Sequence, residues 1–186
     1  GGSAVGAGNI IYANLDYGIY ITGLSATGNS VKGNYIGLDI TGTAFIANSS
    51  QDYGVGITSS AASNAIGGNI DGEENVISGN VMYGIYFNSA GSGPSGNSVL
   101  GNIIGPQANG TSNVTSNAQT HGVYISASPG IILGTNAAGA GNIISANLDY
   151  GVFITGAGST ANLIRGNYLG LDITGTTFIA GSSQDY

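Results

Sequence analysis

The 186 residues include nine acidic and two basic side chains, no cysteine and 35 glycines, for a net charge of −7. Charged residues make up 6% of the chain, against about 25% in an average domain, so neutral amides and hydroxyls must wet its surface. This excludes disulfide staples and thiolate metal sites, and it leaves no basic footprint for nucleic acid or anionic lipid. The 41% hydrophobic content argues for a folded chain, and no apolar run reaches the roughly 18 residues of a membrane-spanning helix.

In chain order the first predicted elements are NIIYAN (9–14), YGIYITG (17–23), NSVKGN (29–34) and NYIGLD (34–39). The insertion ITGTAFIANSSQ follows, and the series resumes with YGVGITS (53–59), NAIGG (64–68), NVISGN (75–80), YGIYFNS (83–89), NSVLGN (97–102) and NIIGPQ (102–107). A second insertion, PQANGTSNVTSNAQT, leads to HGVYISA (121–127), GIILGT (130–135), NIISAN (142–147), YGVFITG (150–156), NLIRGN (162–167) and NYLGLD (167–172). Each segment is short, carries β-branched residues at alternate positions and ends in Gly or Asn, which is a strand pattern.

Only three segment types occur, always in the same order, so three strands per coil and about five coils are expected. The tyrosine-led segments start at 17, 53, 83, 121 and 150, giving spacings of 36, 30, 38 and 29. Every second coil therefore carries a long insertion, and the insertions should lie on one side. Residues 1–53 match 134–186 at 37 of 53 positions. Three units, 1–66, 67–133 and 134–186, make one continuous segment, expected to be a fragment of a longer repeat chain or a fibre subunit.

These motifs, notably GNVISGN and GN-x-IGLDITGT, resemble the right-handed parallel β-helix of the pectate-lyase-like superfamily. Within it they are most similar to the Gly/Asn-rich coils of large bacterial surface and secreted proteins. The resemblance covers the whole chain. It implies an all-β, single-stranded parallel solenoid but no particular function, since such coils serve lyases, hydrolases, adhesins and stalks.

Coils stacked about 4.8 Å apart place like residues in columns. Core columns are predicted at Ile19, Val55, Ile85, Val123 and Val152, and at Ile21, Ile57, Phe87, Ile125 and Ile154. Two more are predicted at Val31, Ile66, Val99, Ile132 and Ile164, and at Ile11, Ile36, Ile77, Ile104, Ile144 and Leu169. Asn9, Asn34, Asn75, Asn102, Asn142 and Asn167 open every third-type strand. An amide both donates and accepts, so this column predicts an inward asparagine ladder.

Candidates for chemistry are few. Asp16 and Asp149, Asp39 and Asp172, and Asp52 and Asp185 are copies by duplication, which suits turn capping better than catalysis. Asp71, Glu73 and Glu74 form the one unrepeated acidic cluster, a weak calcium candidate because a loop site recruits a longer ligand run. Lys32 and Arg165 lie in coils four apart, about 19 Å at the strand spacing, so they share no site. His121 replaces a tyrosine in the column of Tyr17, Tyr53, Tyr83, Tyr150 and Tyr186 and reads as a ladder member.

No Ser/His/Asp set, metal-ligand spacing or phosphate loop occurs, and neither a catalytic residue nor a cofactor is expected. Asn48, Asn109 and Asn113 stand in N-x-S/T sequons, which mean little in a bacterial protein.

The outward position of the tyrosine-led strand holds Tyr20, Gly56, Tyr86, Tyr124 and Phe153. With the Tyr17 column beside it, this makes an aromatic stripe suited to sugar stacking, to a protein partner, or simply to stabilising a sheet. The leading expectation is a non-catalytic extracellular structural module of a bacterial surface, adhesive or filament-forming protein. It would pair with itself, head to tail or laterally, or with an extracellular glycan. The rivals are a polysaccharide lyase or hydrolase whose catalytic coil lies elsewhere, and a carbohydrate-binding surface. Ice binding is weaker, because aromatics occupy the face where a flat threonine array would be needed.

Overall fold

The structure, a computed structural model, describes residues 1–4, 6–45, 50–89, 95–114, 118–181 and 184. Asn48, Asp185 and Tyr186 lie outside the described residues. Among the described residues sixteen strands, β1 to β16 in chain order, fall into three parallel sheets, and no helix occurs.

The first sheet joins β1 (Ile10–Ile11), β4 (Tyr35–Ile36), β7 (Val76–Ile77), β10 (Ile103–Ile104), β13 (Ile143–Ile144) and β16 (Tyr168–Leu169). The second joins β2 (Tyr17–Thr22), β5 (Tyr53–Thr58), β8 (Tyr83–Asn88), β11 (His121–Ser126) and β14 (Val152–Thr155). The third joins β3 (Ser30–Val31), β6 (Ala65–Gly67), β9 (Ser98–Leu100), β12 (Ile132–Leu133) and β15 (Leu163–Ile164). Each strand pairs with the strand three later in the chain, so the chain winds through the sheets in turn. This is a right-handed parallel β-helix with three strands per coil.

Strand register stacks like on like. Ile19 pairs with Val55, Ile57 with Phe87 and Ile104 with Ile144. Ile36, Val55, Ile57, Ile85, Phe87, Val99, Val123 and Ile144 are fully buried and form one continuous core. The first coil and the last are less covered, with Ile154, Ile164 and Leu169 each about 40% exposed (40%, 40% and 42%).

One predicted column is corrected. Leu133, not Ile132, pairs with Val99 and Ile164 and is fully buried, while Ile132 pairs with Ser98 and Leu163 on the outer face. Alignment of GIILGT with NSVKGN and NSVLGN on the glycine before the last residue puts Ile132 in the inward column, one residue from the observed register, and a one-residue slip exchanges the faces of a strand. The run Ile131, Ile132, Leu133 lacks the polar alternation that would have exposed the error. Ile131 turns inward as well, in the place that Asn64, Asn97 and Asn162 hold in neighbouring coils, and its backbone N–H donates to Asn162 Oδ1.

The insertions stack on one side. Ala108 N–H donates to Gly42 O and Ile173 N–H to Gly110 O, so alternate coils are joined through their loops. Leu38 and Val114 pack with Val76, Ile103 and Ile143, forming a second apolar cluster on the outer face of the first sheet. Asp39 and Asp172 cap these loops. Burial pushes the Asp39 carboxyl up, but hydrogen bonds from the Thr41 hydroxyl and from the backbone of Ala44, Thr43 and Thr41 overcome it and hold it below the ordinary carboxylate value. The Thr174 hydroxyl does the same for Asp172.

Candidate functional site

Three amide columns run through the coils at the corners between sheets. In the predicted one, the backbone N–H and Nδ2 of each asparagine both donate to Oδ1 of the asparagine one coil on, from Asn9 through Asn34, Asn75, Asn102 and Asn142 to Asn167. Nδ2 distances to the next oxygen are 2.8 Å from Asn34 and 3.0 Å from Asn102. Asn75 and Asn102 are fully buried. Burying an amide is tolerable only when its donors and acceptor are satisfied, and the ladder does this by repetition.

The other two columns were not drawn from the sequence. Asn29 donates to Asn64, and Asn64 to Asn97, beside the third sheet. Here Ile131 interrupts the series, and Asn162 Nδ2 is a buried nitrogen without a partner among the described residues. The third column alternates residue types: Asn14, Gln51, Asn80, Gln119, Asn147 and Gln184 are linked amide to amide at 2.7–3.1 Å. Its signal was present in the sequence. Asn stands three residues before Tyr17, Tyr83 and Tyr150, and Gln two residues before Tyr53 and His121. The longer glutamine side chain compensates for the shorter approach of the backbone.

Gln119→Ala should therefore destabilise the chain by about 2 kcal/mol, because Asn80 Nδ2 and Asn147 Oδ1 would be buried without partners. Gln119→Asn should recover little of this, since the amide would fall short by a methylene. Urea unfolding midpoints check both expectations.

The aromatic stripe lies over the outer face and leading edge of the second sheet. Tyr17 stacks on Tyr20 at 4.3 Å and on Tyr53 at 4.6 Å, and Tyr83 stacks on Tyr124 at 4.4 Å. Tyr53 stacks on Tyr86, and His121 on Tyr83, Tyr124 and Phe153. Tyr150 stacks on Phe153. Gly56 explains the gap in the outer column: a Cβ there would lie 2.5 Å from the Tyr17 ring, so the missing side chain lets that ring lie across it. Ring faces are therefore largely occupied by other rings, and the Tyr20 and Tyr86 hydroxyls accept hydrogen bonds from Thr58 and Asn88. Burial first, with Asp16 second for Tyr17 and Tyr83 for Tyr53, pushes both phenols above their ordinary value. Burial, with Tyr124 second, does the same for Tyr83.

His121 is buried within this stack, and its Nδ1 accepts the Tyr150 N–H at 3.4 Å. Burial pushes the imidazole below its ordinary pKa of 6.5, although the Asp149 carboxylate and a hydrogen bond with the Thr120 backbone oppose the shift. The folded chain therefore resists a proton that the unfolded chain accepts. The stability this confers is complete above pH 6.5 and is lost as pH falls from there toward the lowered folded-state value. Thermal melts from pH 8 to 5 should show that decline, and His121→Tyr, which restores the residue of the other coils, should remove the His121 part of it.

The acidic cluster does not converge. Glu73 pairs with Lys32 at 2.9 Å, and Glu74 accepts the Gly72 N–H at 2.7 Å. Among the described residues no three His, Asp or Glu side chains group as metal ligands. Asp71 and Glu74 instead line an open groove of about 770 Å³ between the turns near 69–74 and 135–141 and the insertions, floored by Ile103, Ile143 and Tyr168. Asn109 caps its own turn by accepting the Thr111 and Ser112 N–H groups, and Asn113 Nδ2 donates to Gly181 O. No helix among the described residues is long and apolar enough to cross a membrane.

Comparison of the chain with protein-family models, curated proteins and solved structures returns no match, so its function must be read from these residues alone.

Proposed function

We propose that this chain is a non-catalytic structural module of an extracellular, cell-surface or filament-forming protein, built from coils like those of Gly/Asn-rich bacterial β-helices of the pectate-lyase-like kind. The observation that carries this reading is how the side-chain polar groups are used. Asparagine and glutamine, the usual agents of ligand recognition, are largely bonded to their own counterparts one coil away. The aromatic stripe follows the same rule, ring on ring. Such columns resist sliding and separation of coils, which suits a rod that spaces or bears load.

The test is direct. Purified chain incubated with pectin and alginate should release no unsaturated or reducing uronate, and a glycan array should retain none of it. Uronate release would replace the proposal with a lyase or hydrolase. Glycan retention lost in Tyr86→Ala and Tyr124→Ala would replace it with a sugar-binding stripe. Self-association belongs to the proposal, and sedimentation as a monomer at all concentrations would remove that part.

A second reading, glycan binding, is favoured by the groove rather than the stripe. It combines an apolar floor with Asp71, Glu74 and the half-exposed Tyr168, the mixture of a flat ring and hydrogen-bonding edges that saccharides require. Array retention lost on Tyr168→Ala but kept in Tyr124→Ala would support it.

A further inference from the structure

Stacking near the strand spacing holds several tyrosines of the stripe ring against ring, so that a radical formed on one already touches a second phenol. Tyr17 and Tyr53 are register partners on β2 and β5, with centroids 4.6 Å apart and planes 18° from parallel. Tyr20 closes the group at 4.3 Å and 22° from Tyr17, in the space that Gly56 leaves open. Two coils further on, Tyr83 of β8 and Tyr124 of β11 lie 4.4 Å apart and 10° from parallel. Tyr20 is 50% exposed, so an oxidant in solution can reach the first group.

We propose that the Tyr17, Tyr20 and Tyr53 group and the Tyr83 and Tyr124 pair are sites of oxidative dityrosine coupling within a single chain. The oxidant is hydrogen peroxide, acting through a haem peroxidase. Each of two phenols gives up one electron and one proton, and the resulting phenoxyl radicals carry spin on the ring carbons ortho to oxygen. A carbon–carbon bond forms between two such carbons, and the two displaced ring hydrogens return to the oxygens by tautomerisation. One peroxide accepts the two electrons and two protons and leaves as two waters. Proximity supplies the selectivity, because the second radical is already in contact with the first.

A bond between Tyr17 and Tyr53 staples β2 to β5, and one between Tyr83 and Tyr124 staples β8 to β11. In a chain without cysteine, this is a covalent tie between coils that an oxidising environment can form.

The test is oxidation of the folded, full chain with a haem peroxidase and hydrogen peroxide, read by dityrosine fluorescence, denaturing gel and mass spectrometry of a digest. The expected product runs as a monomer, has lost two hydrogens per cross-link, and yields linked peptides that join Tyr53 to Tyr17 and Tyr83 to Tyr124. Fluorescence should exceed that of the urea-unfolded chain by roughly tenfold or more. Tyr17→Phe and Tyr124→Phe keep the ring and hence the stack, so the circular dichroism should be unchanged while the corresponding linked peptide disappears. The proposal is overturned by equal coupling in folded and unfolded chains or by cross-links found only between chains.

Discussion

Replacing Asn102 with alanine should cost about 4 kcal/mol. Asn102 Oδ1 accepts from both the backbone N–H and Nδ2 of Asn75, while its own Nδ2 donates to Ile66 O, Leu100 O and Asn142 Oδ1. The substitution therefore leaves the buried Asn75 backbone N–H and one of its two Nδ2 hydrogens with no acceptor, the other keeping Val31 O, and each such orphan costs about 1–3 kcal/mol. The site is fully buried, so water cannot substitute without opening the corner. Asn9, on the exposed first coil, donates to Asn34 through its N–H and Nδ2. Asn9→Ala should cost about 1 kcal/mol or less, because solvent reaches the groups left behind. Chemical denaturation of the two variants measures the contrast. Equal effects would mean that the ladder does not act through burial.

Leu133 and Ile132 provide the second large contrast, between adjacent residues of similar size. Leu133→Ala should destabilise by about 3 kcal/mol, since it opens a cavity between Val99 and Ile164 in the core. Ile132→Ala should cost under about 1 kcal/mol, because Ile132 stands on the outer face beside Ser98 and Leu163. The comparison tests the strand register itself. A larger loss at Ile132 would restore the alignment made on the glycine and would turn this strand over.

The glutamine column shows where reading by identity fails. The predicted asparagine ladder was legible because the same residue returns at the same distance from the same strand. The column through Gln51 and Gln119 has the same physics, but it changes residue type and spacing together, so no single letter repeats. Only the positions of the backbone reveal that a longer side chain and a shorter approach reach one point. The interruption at Ile131 is of another kind: Ile132 pairs with Ser98 and Leu163, so Ile131 stands where Asn97 and Asn162 stand, and the apolar run 131–133 hides which of its residues face inward.

The aromatic stripe was legible as a stripe but not as a stack. Alternation places Tyr20, Tyr86 and Tyr124 on the outer face, and repetition places Tyr17, Tyr53 and Tyr83 at the strand starts. Whether those rings present their faces to solvent or to each other depends on side-chain rotamers, and these follow from coil separation and from the space over Gly56. That distinction bears directly on function, since a sugar needs a free face and radical coupling needs an occupied one.

By itself the sequence determined the solenoid, its three-strand coil, the side that carries the insertions and the main polar ladder. Each of these follows from a residue repeating at a fixed interval, and stacking at one strand spacing turns such a repeat into contact. Tertiary structure decided the register of β12, the side-chain links that close the two further amide columns, the division of the acidic turn between Lys32 and the Gly72 backbone, and the mutual stacking of the tyrosines. These depend on how far a side chain reaches across a corner or a strand. Distance of that kind is set by the backbone in three dimensions and is not written in the interval between letters.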